Sequence, residues 1–587
     1  MRGAIKIALV ALLVGLLPLS GAAGSVSVGN PGKAWAPPND YERGLHIVEF
    51  VDSFPGESPS FLIDNQLQKN KMINPTCSSM DDPRCTSNRL QYAANLPICN
   101  ATIDKYCVES FGVINADGTR TPAIYNRNFP NKSQNEFQAS LEAKLPFGTT
   151  GSLFELPQAR HDGGNLYYVS AYTEGEVDKK SGATLGRFSI RIFPVSLTRD
   201  SAILNAEGQD VGIVQFTNRG GGDVAGSWGL TGFGFSGDSF CVAGSAKEGL
   251  CAQRYAFPAD IKFYATVRTQ VRPSGWIHGR IFQPELNIID KKDYFLLDIS
   301  AYPVAVPVVY KMYRYEVMPQ ELKDQYDVNG GLYKPDLAEQ PEGSCAGGRT
   351  ACTKDPLTRN TLLFPSPSSK SGMSQLKLWL PYVNDTATAL LGTWSFRTLD
   401  LNETEGADKC FTNSTNGVTG IVTTNATQYS AGPPVFNKAT GTLEYAVSAP
   451  HYTPQQEEFT GTYDLLMRSD VARCVYGFSS APIRASLSVV DDKGNAKVAT
   501  ETLKESNGWL SLSATGFTYS SPTVRVKLEQ DAAPVVKAAE VKPAEVKPAQ
   551  PKSPVTSKYS IYCSKGKSLK KVTGTNPKCP KGYKLNK

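Results

Sequence analysis

In the stretch DIKFYATVRTQVR, apolar and polar residues alternate almost without a break. Ile261, Phe263, Ala265, Val267 and Val271 take one side, and Lys262, Tyr264, Thr266, Arg268, Gln270 and Arg272 the other. A period of two places successive side chains on opposite faces of a strand, so this segment predicts a half-buried strand with a basic outer face. The same period runs from about Arg187 to Tyr382. It returns between about Thr393 and Leu528 in TLEYAVSAPHY, GTYDLLMRS, RASLSVVDDKGNAKVATETL and NGWLSLSATGFTYSSPTVRVKL. Turn signals separate these runs: Ala-Asp-Gly at 116–118 inside VESFGVINADGTRTPAIY, Pro-Ser-Gly at 273–275, Asp-Lys-Gly-Asn at 492–495 and Ser-Asn-Gly at 506–508. WIHGRIF, after the 273–275 turn, is expected to form a hairpin with the strand before it. YFLLDISAYPVAVPVVYKMYRYEV predicts one or two long strands broken by prolines. Helical spacing is rare; SQNEFQASLEAKLPF, with Phe137, Leu141 and Leu145 at four-residue steps, predicts one helix.

A mainly β chain of 587 residues is longer than one core usually serves. The expected architecture is two or more β-sandwich-like domains with disulfides, followed by a linker and a small C-terminal module. The spans are a signal peptide at 1–24, a disulfide-containing β-rich region at 25–198, a central β domain at 199–392 and a C-terminal β-sandwich at 393–529. A Pro/Ala/Lys/Glu linker follows at 530–557, where AEVKP occurs twice, and a lysine-rich stapled module at 558–587.

The assignment of 1–24 rests on Arg2 and Lys6, an apolar run from Ile5 to Leu19, and small residues around Ala22, Ala23 and Gly24. That is the pattern of a secretory signal, with cleavage expected near Ala23. No second stretch is apolar enough to predict a membrane span. Export agrees with twelve cysteines that fall into couples: Cys77 with Cys85, Cys99 with Cys107, Cys241 with Cys251, Cys345 with Cys352, Cys410 with Cys474, and Cys563 with Cys579. Neighbour pairing is the expectation, although Cys77, Cys85, Cys99 and Cys107 alone allow three connectivities. Zinc does not suit them: there is no CxxC, and none of the four histidines adjoins a cysteine couple.

Charge is divided along the chain. From Lys552 to Lys587 there are ten lysines and no acidic residue; setting these and Arg2 and Lys6 aside, 49 basic residues face 55 acidic ones. A tail of this kind is drawn to anionic surfaces, and Lys565, Lys567, Lys570, Lys571, Lys578, Lys581 and Lys584 are the candidate contacts. In the body, Trp276, His278 and Arg280 share one side of a strand, and Tyr264, Arg268 and Arg272 lie on the strand before it. Aromatic rings beside guanidinium groups suit sugars or anionic polymers; the competing reading makes Trp276 a core residue with its face turned inward.

Motifs for other chemistry fail on their own terms. Gly220-x-Gly222-x-x-Ala225 resembles a dinucleotide fingerprint, but Gly226, Gly229, Gly232, Gly234 and Gly237 follow where a helix must begin, so no nucleotide is expected. In QYDVNGGLYKPD, Asp327, Asn329 and Asp336 fall at calcium-loop positions. Gln325 occupies the first position and the last lacks glutamate, so calcium is only a weak candidate and no other cofactor is expected. Gly234-Phe235-Ser236-Gly237 ends in Asp238 where a nucleophile elbow needs glycine. Asp162 beside His161 suits a hydrogen-bonded turn better than an acid or base.

The ending YCSKGKSLKKVTGTNPKCPKGYK is similar to short terminal modules on exported proteins of Gram-positive actinobacteria. RCVYGFSSAPIRASLSVVDDKGNAKVATETLKESNGWLSLSATGFTYSSPTVRVKL resembles the domain that often precedes such modules. GWIHGRI and CVESFGVINADG are similar to stretches of large exported proteins of that group. The resemblance covers about a quarter of the chain and implies a secreted or cell-surface context; it carries no catalytic residue. The expected function is a cell-wall-associated binding or structural protein whose tail contacts an anionic wall polymer or polysaccharide. The alternative is an exported carbohydrate-active enzyme, whose paired carboxylates leave no local signature. A glycoprotein reading rests on acceptor triplets at Asn100, Asn131, Asn384, Asn402, Asn413 and Asn425.

Overall fold

The computed structural model describes residues 45–51, 60–68, 71–101, 104–131, 135–198, 241–245, 248, 250–326, 357, 361–363, 365–399, 403–412, 417–430, 432–479, 483–490, 496–498, 500–519, 523–530, 559–566, 568–574 and 576–585. These form two compact units, a body ending at Asp531 and a small unit after it. Both are mainly β.

The body is organised by one long ladder. Ile124–Phe129, Gly151–Glu155, Leu166–Asp178, Gly182–Thr198 and Ala389–Thr398 pair in succession, all antiparallel. Gly275–Arg280 pairs next to Ala389–Thr398, and the ladder continues through Val418–Thr424, Thr460–Arg468, Trp509–Thr518 and Thr500–Ser506. The pairing of Gly275–Arg280 with Val418–Thr424 is parallel. Strands from all three sequence spans, 25–198, 199–392 and 393–529, therefore share one sheet.

Two smaller sheets cover this ladder and make sandwich-like layers. A five-stranded sheet contains Lys262–Thr269 between Cys107–Ile114 and Phe295–Tyr302, with Phe282–Asp290 and Arg120–Pro122 outside them. Its inner residues Phe111, Phe263, Ala265 and Val267 pack with Phe154, Tyr167, Ile277 and Trp394 of the ladder. A second sheet, built on Thr442–Ser448, Ile483–Val490 and Thr523–Gln530, contributes Tyr445, Leu487 and Val526 to another core with Trp276, Tyr463 and Leu512. The cores meet at shared strands: Ile277 and Trp276, Ile421 and Val422, and Leu466 and Leu465 each point one residue to one core and its neighbour to the other. All seven residues of VTGIVTT are accordingly buried, as expected of a strand covered on both faces. Asp464 fastens the layers, accepting hydrogen bonds from Gln283 N (2.9 Å), Thr423 Oγ1 (2.8 Å) and Ser513 Oγ (2.5 Å).

Several local expectations hold. Cys107–Ile114 and Arg120–Pro122 form the hairpin around Gly118, whose φ of 83° demands glycine. Asn507 and Gly508, at φ 52° and 78°, make the two-residue turn that joins Thr500–Ser506 to Trp509–Thr518. Pro303 separates Phe295–Tyr302 of the five-stranded sheet from Val304–Arg314 of the ladder.

Two expectations are corrected. The segment around Phe137 is a loop held by bridges Phe137 to Gly148 and Ser140 to Leu145, not a helix. Phe137 and Leu145 are buried while Leu141 is 54% exposed, so the four-residue spacing does not describe one buried stripe. WIHGRI is not the hairpin partner of the preceding strand. Gly275, at φ 84°, lies at a corner where the chain leaves the five-stranded sheet and enters the ladder.

Among the described residues, four disulfides are present: Cys77–Cys85, Cys99–Cys107, Cys410–Cys474 and Cys563–Cys579. The N-terminal cysteines thus pair with their neighbours. Inside the first loop Asp82 accepts from Arg84 Nη2 (2.7 Å), Ser78 N (2.7 Å) and Arg84 N (3.0 Å), and the Arg84 guanidinium, with these backbone bonds, holds its carboxyl far below the usual range. The couples Cys241 with Cys251 and Cys345 with Cys352 fall outside the described side chains.

Candidate functional site

Gly275–Arg280 is paired along both edges, and its two faces are covered by different cores, Ile277 packing into one and Trp276 into the other, so Trp276 to Arg280 are all buried. Trp276, His278 and Arg280 do share one side, and that side points into the second core. Their exposures are 1%, 4% and 2%. Trp276 packs edge-on against Phe411 at 5.2 Å, and His278 lies parallel to Tyr429 with ring centroids 3.8 Å apart. The Arg280 guanidinium sits 4.5 Å from the centroid of the same tyrosine. It donates to the carbonyls of Thr424 (3.0 Å) and Ala426 (2.5 Å), the acceptors left where Val418–Thr424 ends. An open platform for a polymer is therefore not what these three residues form.

Tyr264, Arg268 and Arg272 lie elsewhere, on and after the strand of the five-stranded sheet. Tyr264 is 3% exposed because Arg120 covers its ring at 4.5 Å, and Arg120 is held in turn by both oxygens of Asp298 (2.8 and 2.7 Å). Arg268 donates to Glu109 (2.7 Å) and to the Asp104 carbonyl (2.8 Å) beside the Tyr294 ring. Arg272 is exposed and lies 5.7 Å from the Phe295 ring. The expected basic face thus exists, but Glu109 on the neighbouring strand pairs with Arg268, and Arg120 with Asp298 covers Tyr264.

Beside the buried triplet is a small cleft of about 260 Å³, its mouth included, lined by Arg191, His278, Arg280, Ser395, Phe396, Arg397 and Tyr429. Arg397 forms a two-bond pair with Glu403 (2.6 and 2.5 Å). Burial, with Arg280 and Arg397 adding to it, holds the His278 imidazole well below its usual pKa, so it is neutral; its Nε2 has no hydrogen-bond partner. Sequence reasoning found His278 and Arg280 but had no signal for Arg191 or Arg397, which alternation alone places on an ordinary strand face.

Sequence reasoning also missed Glu49. It is 1% exposed, neither carboxylate oxygen has a hydrogen-bond partner, and burial pushes its pKa up to about 8. His161 and Asp162 lie in a tight turn: His161 Nδ1 accepts from Gly163 N (3.1 Å) and Nε2 donates to the Leu166 carbonyl (2.9 Å). Asn425 is buried, donating to the Thr460 carbonyl (3.0 Å) and accepting from Thr462 N (2.8 Å) and Tyr519 Oη (2.5 Å), which removes it as a glycan acceptor in the folded chain. Asn100, Asn131 and Asn384 are exposed. Asp327, Asn329, Asp336, the glycine-rich 211–238 segment, Asn402 and Asn413 lie outside the described residues.

The unit after Asp531 holds the other candidate site. Tyr559–Lys565 is the central strand, flanked by Ser568–Gly574 and Lys584–Leu585. Cys563 is the one described residue there that is fully buried, and its bond to Cys579 closes the unit. Lys565, Lys570, Lys571, Lys578, Lys581 and Lys584 are all exposed, and the described part of the unit contains no acidic residue; Lys567 lies outside it.

Among the described residues, no three His, Cys, Asp or Glu side chains come together as a metal site, and no helix is long and apolar enough to cross a membrane. Comparison of the chain with known protein families, with curated proteins and with solved structures finds no match.

Proposed function

We propose that the chain is a secreted binding or structural protein displayed at a bacterial cell wall, with its lysine-rich unit holding it to an anionic wall polymer. The observation that carries this reading is the arrangement of the six described tail lysines, all exposed on one disulfide-closed unit with no acid beside them. Each lysine near an anionic surface is worth about 1 kcal/mol, so six acting together suffice for retention at low salt and weaken steeply as salt rises. Four disulfides suit the oxidising side of a membrane. The body, with its buried aromatic and arginine clusters, is read as the working part that the tail keeps at the surface.

The test is a pull-down of the full chain on isolated actinobacterial cell walls across a salt series, beside a chain lacking 552–587. Tail-dependent binding that fades with salt is the expected result. Retention unchanged by the deletion overturns the reading.

A further inference from the structure

We infer that one face of the tail sheet, carrying Tyr562, Leu569, Lys571 and Lys584, binds the sugar rings of an anionic polysaccharide. This rests on the tail reading above and specifies which side of the unit makes the contact and what it recognises. The division follows from register. Tyr562 pairs with Lys571, Ser564 with Leu569 and with Lys584, whereas Cys563 pairs with Lys570 and Leu585 and Lys565 with Ser568. Directly paired residues share a face and successive residues alternate, so Lys571 and Lys584 stand on one side and Lys565 and Lys570 on the other.

The chain covers part of the Cys563 side, where Leu585 is 55% exposed and Lys565 and Lys570 are exposed as well. Cys563 is 0% exposed beneath its bond to Cys579, and Lys565 Nζ lies 3.5 Å from where a Cβ at Gly582 would stand. The opposite side carries the one exposed aromatic ring of the sheet's described residues, Tyr562 at 47%, with Leu569 58% exposed on the adjacent strand. Tyr562 is on the central strand, with Lys571 Nζ 5.9 Å from its ring centroid and Lys584 on the other flanking strand. Ser564 and the hydrogen-bonded hydroxyls of Ser560 and Thr573 (2.7 Å) add hydroxyl groups to the same face. An exposed ring beside the Lys571 ammonium, with Lys584 on the same face, is complementary to a pyranose ring bearing carboxylate or phosphate. One tyrosine and one leucine are too little apolar area to seat the unit in a bilayer.

The experiment measures binding of the full chain and four variants to isolated walls, to an acidic polysaccharide such as hyaluronate, to polyphosphate, and to anionic phospholipid vesicles at fixed salt. The paired change Lys571→Gln with Lys584→Gln is compared with Lys565→Gln with Lys570→Gln, which removes the same charge from the other face. The first pair is expected to weaken polysaccharide binding by about 30-fold and the second far less. Tyr562→Ala is expected to weaken binding to polysaccharide but not to polyphosphate, while Tyr562→Phe, which keeps the ring, binds as the parent does. Equal losses from the two lysine pairs, no effect of Tyr562→Ala, or a preference for vesicles or polyphosphate overturns the inference while leaving wall retention intact. A parent chain that binds no wall overturns the tail reading as well.

Discussion

The imidazole of His278 lies parallel to the ring of Tyr429, 3.8 Å away and tilted by 2°. Arg280 reaches the same tyrosine, and Arg397 lines the same cleft, so a proton on His278 would meet two guanidinium groups inside a core. Burial is the larger cause of its lowered pKa and the arginines the lesser. Because the folded value is below the unfolded one, the folded chain binds this proton less readily. Stability from this site is present above about pH 6.5 and is lost as pH falls below it, by up to about 2 kcal/mol at pH 5. The check is the urea midpoint from pH 7 to pH 5 for the parent and for His278→Gln. The parent is expected to lose stability faster, and parallel curves would rule out a buried neutral imidazole.

Glu49 works in the opposite sense. Its pKa is pushed up to about 8 by burial without hydrogen-bond partners. The folded chain holds the proton more tightly than the unfolded one, so stability from this group is full below about pH 4.5 and declines as pH rises through about 8. Glu49→Gln keeps the shape and removes the ionisation. Unfolding midpoints between pH 5.5 and pH 9 should fall in the parent and lie flatter in the variant; a parent that gains stability over that range would exclude a protonated Glu49.

What the sequence made legible was local. Asn507-Gly508 needs only its own two residues to turn a strand, and Cys563 and Cys579 lie within one short unit. The outer face of Lys262–Thr269 is basic as the alternation predicts, but its cover, Arg120 and Asp298, belongs to other strands, which the alternation does not record. For WIHGRI the alternation leaves two readings, a face open to solvent or one turned inward, and the structure has the inward one. The strand is buried on both sides because Phe411 and Tyr429 close the second core over Trp276 and His278 while Ile277 packs into the first, which no pattern inside WIHGRI records. Near Phe137, the spacing of three apolar residues matched a helix by coincidence, since only two of them are buried.

Gly420 shows how tightly that double burial is built. A Cβ at this position would fall 2.3 Å from Trp276 Cζ3 and 2.9 Å from the Leu466 carbonyl oxygen, and neither the buried indole nor the ladder backbone can give way easily. Gly420→Ala is expected to cost about 1–3 kcal/mol, the usual penalty for overpacking a dense core. Trp276→Phe in the Gly420→Ala background clears part of the clash and should recover some of the loss. Thermal or urea unfolding of these two variants and of Trp276→Phe alone measures this, and additive losses would show that the indole and Gly420 are not in conflict.

The two units should also respond differently to loss of a disulfide. The body has extensive apolar cores, whereas Cys563 is the one fully buried residue among those described in the tail unit. With so little apolar surface to bury, the tail depends on the Cys563–Cys579 link, whose separation of 16 residues corresponds to about 3 kcal/mol on chain-entropy grounds. Cys563→Ser with Cys579→Ser should therefore abolish amide-exchange protection across Tyr559–Lys565 and Ser568–Gly574 and leave the midpoint of the body unchanged. The ten lysines would remain in the unfolded tail while the face that presents Tyr562 beside Lys571 would not. Wall binding that persists with its polysaccharide preference gone is the expected consequence. A tail that keeps its exchange protection without the disulfide would mean that the strand pairing of Tyr559–Lys565 is sufficient by itself.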